Sequence, residues 1–202
     1  MPALAEQLLE VEEIREGTLI MRDGSLRGIL LVSSLNFELV SQSEKEAIIY
    51  QFQNFLNSLE FSIQILVQSR KVNITHYLDY LKELEEKQTN DLLKLQTKNY
   101  REFVSEWIAG GRIMTKNFYV IVPFHPIGLK KKVGEKLKPE IFSMYKTQLM
   151  QRMEFVARGL SSCGVTAVPL STMEVVDLLW SLYHPEEAEV GYHPSVPPEL
   201  IT

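Results

Sequence analysis

Five lysines crowd one short stretch: Lys130, Lys131, Lys132, Lys136 and Lys138, with Glu135 the single acid among them. Ammonium groups at that density suit an anionic partner. Nucleic-acid phosphates are one possibility, and anionic lipid headgroups, at about 1 kcal/mol per lysine near a membrane surface, are another. No arginine or aromatic side chain interleaves with them to stack on bases, so a solvated loop is the plain alternative. The other chemistry-bearing residues are scattered. His76, His125, His184 and His193 never fall at a two-ligand helical spacing. The Tyr-His-Pro units at 183–185 and 192–194 offer two imidazoles without a thiolate to complete a zinc site. Cys163 lies at a helix end, and a helix C-terminus disfavours the thiolate, so it reads as a small buried side chain. No G-x-S-x-G elbow anchors a hydrolase triad. The glycines at 128 and 134, followed by Lys136, miss the spacing of a phosphate-binding loop and lack its Lys-Ser/Thr ending, so backbone N–H groups cannot converge on a phosphate. Glu85-Glu86 and Glu186-Glu187 sit in charge runs and read as solvated. Arg15, Arg22, Arg27 and Arg70 read as structural ion partners. No catalytic, cofactor-binding or metal-binding residue is assigned, and no cofactor is expected.

These residues belong to a chain of 202 residues, 45% hydrophobic and 23% charged, with a net charge of −5. That composition is of an ordinary globular protein, long enough to bury a core without disulfides or metal. One cysteine excludes a disulfide framework and a C-x-x-C pair. The acidic balance argues against a general nucleic-acid binder. No apolar run approaches the ~20 residues of a membrane-spanning helix, and the first residues lack the basic region of a signal peptide.

The elements that must position these groups alternate. Residues 1–16 are expected to be a tail or short helix. The strands 17–22 and 25–33 are joined by Asp23-Gly24, a hairpin signal because glycine accepts positive φ. Ser43 with Glu46 predicts a capping box opening a helix whose buried face is Ile48, Ile49, Phe52, Phe55, Leu56 and Leu59. Residues 61–68 alternate, which predicts a strand burying Phe61, Ile63, Ile65 and Val67. A long helical region follows over 74–109, about 50 Å if unbroken, with Leu78, Leu81, Leu84, Leu92, Leu95, Phe103 and Trp107 as apolar positions. Its centre is polar, and Thr89-Asn90-Asp91 is a point where it can divide. A strand over 113–122, a loop over 124–139 and a helix over 140–160 with Pro139 at its first position come next. A strand over 165–170 and a helix opened by a Ser171/Glu174 capping box complete the pattern. Residues 184–202 carry four prolines and no periodicity, as a tail or linker does. The expected fold is α/β with α+β character: a single mixed sheet of about five strands with an N-terminal hairpin, helices packed on it and one long helical region. The folded domain is expected over 17–183.

The runs Asp23-Gly24-Ser25-Leu26-Arg27-Gly28-Ile29-Leu30, Leu35-Asn36-Phe37 and Ser43-Glu44-Lys45-Glu46-Ala47-Ile48-Ile49 form an array with two further stretches, 52–59 and 65–70. That array resembles the N-terminal domain of TraC-like conjugation ATPases, the motors of type IV secretion. The stretch 178–185, ending Tyr183-His184-Pro185, is similar to the Leu-x-x-x-Tyr-Asn-Pro that closes that domain, with histidine in place of asparagine. The likeness runs from about Val11 to Pro185. It implies an α/β module that does no chemistry, docks a motor ATPase against inner-membrane channel components and sits peripherally at the cytoplasmic face of the membrane. A separate domain or protein would hydrolyse ATP. Self-association is a further expectation. The surfaces favoured for contact are the lysine stretch and the exposed faces of the long helical region. A nucleic-acid-contacting accessory using Lys130–Lys138 is the alternative.

Overall fold

A computed structural model describes residues 10–71, 75–109, 114–126 and 137–185. Its elements are β1 (Val11–Arg15), β2 (Thr18–Met21), β3 (Leu26–Val32), α1 (Gln42–Asn57), β4 (Gln64–Lys71), α2 (Thr75–Lys87), α3 (Asp91–Ala109), β5 (Met114–Phe124), α4 (Pro139–Ser162), β6 (Ala167–Pro169) and α5 (Thr172–Tyr183). The chain divides into two compact units, one within residues 1–67 and 117–179, the other within 68–116 and 180–194.

The strands form one six-stranded sheet in the order β1-β2-β3-β5-β4, with β6 also paired to β3. The α/β class is as expected, but the sheet is antiparallel rather than mixed. One edge of β3 lies along β5 from Leu26↔Phe124 to Val32↔Phe118. Its other edge is shared, with β2 at Thr18↔Gly28 and β6 at Leu30↔Pro169.

In the first unit, neighbouring residues of each strand serve opposite faces, as the pleat requires. Ile20, Leu26, Leu30, Val120 and Val122 join Phe55 of α1 and a stripe on α4 of Phe142, Tyr145, Leu149, Met153, Val156 and Leu160. The alternate residues Leu19, Ile29 and Tyr119 meet Leu170, Val175 and Leu178. Two covered faces explain why the neighbours Ile29 and Leu30 are both apolar; the run then outlasts its cover, with Leu31 38% exposed.

The Asp23-Gly24 hairpin forms as expected. Gly24 has φ +81°, and the Asp23 carboxylate accepts from the Ser25 backbone N–H (2.8 Å) and hydroxyl (2.6 Å). The first residues differ from expectation, since Val11–Arg15 is a strand, antiparallel to β2. Its connection to β2 places Glu16 (φ 49°) and Gly17 (φ 74°) in the left-handed region. A Cβ on Gly17 would stand 2.5 Å from the Leu170 carbonyl oxygen, while the Gly17 N–H donates to the Thr172 hydroxyl at 2.9 Å.

Three further expectations need correction. The cap of α1 is Ser41 with Glu44, not Ser43 with Glu46. Both spacings are Ser-x-x-Glu, and the earlier one wins because the helix begins at Gln42. In β4 the alternation holds but the buried side changes. Phe61 and Ile63 pack on the α1/α4 core, yet Ile65 and Val67 are 58% and 51% exposed. Leu66 packs on the opposite cluster instead. The long helical region is two helices. The Asn90 side-chain oxygen accepts from the Leu92 and Leu93 N–H groups (2.9 and 3.4 Å) and opens α3.

In the second unit α2 and α3 form a helical hairpin, tied by an ion pair from Arg101 to Glu85 at 3.1 Å. Glu85 is therefore engaged, not solvated. Gln68 donates to the Ser181 hydroxyl at 3.0 Å in the same unit.

Candidate docking surfaces

The lysine stretch is brought only partly into view. Lys130, Lys131, Lys132 and Lys136 lie outside the described residues. Lys138 is the N-cap of α4 and exposed, its extended backbone (φ −61°, ψ 142°) leading into Pro139 at the first helical position.

The scattered groups take structural places. Cys163 is buried at the C-terminal cap of α4, its thiol 3.5 Å from the Gly159 carbonyl oxygen. His184 stacks on Trp180 with ring centroids 5.4 Å apart. His125 stands 3.3 Å from the Arg27 guanidinium. Glu186, Glu187, His193 and the side chain of His76 fall outside the described residues. Among the described residues, no three His, Cys, Asp or Glu side chains gather as a metal site would require.

The first unit has a groove of about 720 Å³ between the β1–β2 turn and α4. The Arg15 guanidinium lies 5.0 Å from the centroid of the Phe142 ring and binds the Glu13 carboxylate through two nitrogens, at 2.8–3.0 Å. Glu16 pairs with Lys146. That hydrogen bond and charge hold the Glu16 carboxyl below its ordinary range. Each charge at this rim already has its opposite, which is the arrangement of a braced surface and not of a nucleophile beside a base. A second groove, about 540 Å³, has Arg152 on its wall. That guanidinium lies over Phe61 (4.7 Å) and Phe124 (5.2 Å) and donates to the Pro123 carbonyl at 2.9 Å.

The more unusual surface is the hairpin of the second unit. Among the described side chains of α3 the half-buried ones are Thr97, Arg101 and Val104, one face at i, i+4, i+7. Leu92, at 78% exposed, and Leu95, at 55%, are on the other side with Phe103, also exposed. At 100° per residue that stripe is about 150° round the helix from the half-buried face. On α2, Tyr80 is exposed, and Tyr77 reaches the Tyr100 hydroxyl at 3.4 Å. Periodicity marks Leu92, Leu95 and Phe103 as apolar positions of the helical region without saying whether their face is covered; in the structure it is exposed.

A family model described as the archaeal TraC-like domain matches residues 12–185. The chain belongs to that family. The matched span of the TraC-like domain begins in β1 and ends just past α5, so it takes in every strand and helix described above. No curated protein matches the chain.

Proposed function

We propose that this TraC-like domain is a non-catalytic docking and assembly module of a type IV secretion or conjugation apparatus. It works through protein–protein contacts with a motor ATPase and inner-membrane channel components, peripherally at the cytoplasmic face of the membrane. The observation that carries the reading is family membership over residues 12–185. The surfaces support it. The groove rims carry mutually neutralised ion pairs, and the α2–α3 hairpin turns apolar side chains to solvent. Exposed apolar area of that kind marks sites of association. Among the described residues, no helix is long and apolar enough to cross a membrane, so attachment through partners is the expected route.

Affinity purification of the tagged chain from its native cells, read by mass spectrometry, is expected to recover a motor ATPase. The chain alone is expected to show no ATP hydrolysis above background. Hydrolysis by the purified chain that one substitution abolishes overturns the docking reading. The competing reading, a nucleic-acid accessory, rests on the lysine stretch at 130–138. It requires duplex-DNA affinity to fall with salt, with a log–log slope of about −0.9 per neutralised phosphate. A flat response excludes it.

A further inference from the structure

The two edges of the sheet are built differently. Among the described strands β1 ends it on one side and β4 on the other. β1 is blunted in the ways that edge strands ordinarily are. It has five residues, three of them charged, and its register slips between Val11 and Glu13. β4 has eight residues, and the first six, Gln64-Ile65-Leu66-Val67-Gln68-Ser69, hold no charge, proline or glycine. A long, uncharged edge strand is a template for another strand.

The side chains of β4 show where its cover runs out. Phe61 and Ile63, just ahead of the strand, pack on the α1/α4 core, as do Val120 and Val122 of the neighbouring β5. Further along the same alternation Ile65, Val67 and Ser69 are exposed. Gln64, on the other face, is exposed as well. At Gln64 and Ile65 the strand therefore meets water on both faces.

We propose that the outer edge of β4 is a strand-addition site, which takes an extended segment of a partner protein into the sheet. The edge selects for backbone, because its N–H and C=O groups recur at a spacing that another strand matches. The sheet is antiparallel throughout, and the added strand continues that pattern. Apolar side chains at alternate positions of the added strand fall beside Ile65 and Val67. Arg70 and Lys71 end β4 with two positive charges, and the strand contains no acid. The added strand accordingly carries acids near its own N-terminal end. The same charges disfavour a second copy of this chain as the occupant. Two β4 strands paired antiparallel about a two-fold set Arg70 beside Ile65 and Lys71 beside Gln64, and no register of β4 on itself brings an acid to either cation. The proposal deepens the docking reading by naming what the domain binds. Its test contains no ATPase and no membrane component, so its failure leaves that reading standing.

The probe is a labelled eight-residue peptide, two glutamates followed by alternating valine and threonine. Its binding to the full chain is read by fluorescence anisotropy up to millimolar concentration, and its place by amide hydrogen exchange. Amides of β4 are expected to slow about tenfold or more at saturating peptide, and those of β1 to stay unchanged. N-methylation of the peptide at odd or at even positions separates strand addition from side-chain docking, since only one of the two sets points at β4. One methylated peptide is expected to lose at least tenfold in affinity and the other to bind within a few-fold of the parent. I65K/V67K, at two exposed positions, is expected to weaken binding about tenfold or more with the circular dichroism spectrum unchanged. K71E is expected to weaken the glutamate peptide a few-fold and to favour a peptide that opens with two lysines. No binding at millimolar concentration overturns the proposal. So does binding that both methylated peptides retain, or protection that appears in β1 instead of β4. Protection of β4 that grows with the concentration of the chain alone overturns it too, because the occupant is then a second copy.

Discussion

At the scale of single residues, acids fix the ends of the elements. Glu44 and Glu174 each answer a serine cap. Ser41 hydrogen-bonds the Glu44 carboxylate through both hydroxyl and backbone N–H. Glu174 accepts from the Ser171 backbone N–H at 2.7 Å. Glu16 is held by Lys146, through hydrogen bond and charge. Hydrogen bonds hold the Glu44 carboxyl below its ordinary value of 4.5, and do the same for Glu174. In Asp23, burial pushes the carboxyl up, but the Ser25 hydrogen bonds outweigh it and the net direction is down from 3.8. A carboxyl whose folded pKa lies below its unfolded value binds fewer protons in the folded state. Its contribution is present in full above the unfolded value and is lost as pH falls through the folded one. All four point the same way, so stability is expected to hold at neutral pH and decline as pH drops below 4.5. Urea denaturation from neutral pH into the acid range measures this. The substitution E174Q is expected to make the acid decline shallower, because one of the four groups no longer titrates. Ser171→Ala, which removes the cap of α5 itself, is expected to lower stability by about 1 kcal/mol at neutral pH.

At the scale of elements, the packing of α1 on α4 turns on one missing side chain. A Cβ on Gly159 would stand 2.2 Å from the Phe55 ring. In an open helix Gly→Ala gains about 1 kcal/mol. Here the buried ring must move, and overpacking costs about 1–3 kcal/mol. Gly159→Ala is therefore expected to destabilise in chemical denaturation, by up to about 2 kcal/mol after the propensity gain is set against it. Phe55→Leu is expected to cost less in the Gly159→Ala background than alone, which a double-mutant cycle reads directly. The same helix shows what sequence can reveal. Six apolar positions from Phe142 to Leu160, with Pro139 ahead of them, define α4 nearly to the residue. The Asp23-Gly24 turn defines β2 and β3 equally well. β1 is hidden because Val-Glu-Glu-Ile-Arg carries three charges, two of which neutralise each other across Glu13 and Arg15. Its Glu16-Gly17 turn lies outside the usual Asn-Gly and Asp-Gly vocabulary. The outward stripe of α3 is hidden for a different reason. Periodicity reports that a helix has two faces, and only the partner element decides which is covered. Of the lysine stretch, only Lys138 could be placed, at the N-cap of α4.

At the scale of the whole molecule, the two units differ in what holds them. The first has two apolar clusters, one on each face of its strands, with Leu26, Leu30, Leu149, Val122, Val156 and Val175 excluded from water. In the second, Leu81 is the one buried apolar side chain among the described residues, at 7% exposure. Stability is not uniform where burial is not, and regions with few buried contacts open first. Amide hydrogens of α2 and α3 are therefore expected to exchange well before those of α4 and β3. Leu81→Ala makes the difference testable. Removing a buried leucine side chain costs about 2–5 kcal/mol, and the hairpin has no second buried apolar residue among the described side chains to share the loss. The expected result by hydrogen exchange and mass spectrometry is loss of protection throughout Thr75–Ala109, with Pro139–Ser162 keeping its wild-type protection. Equal loss of protection in both helical regions would mean that the chain unfolds as one cooperative body. Protection lost in the hairpin alone would mean that a surface for partners is carried on the least stable part of the molecule, where binding can order it without disturbing the sheet.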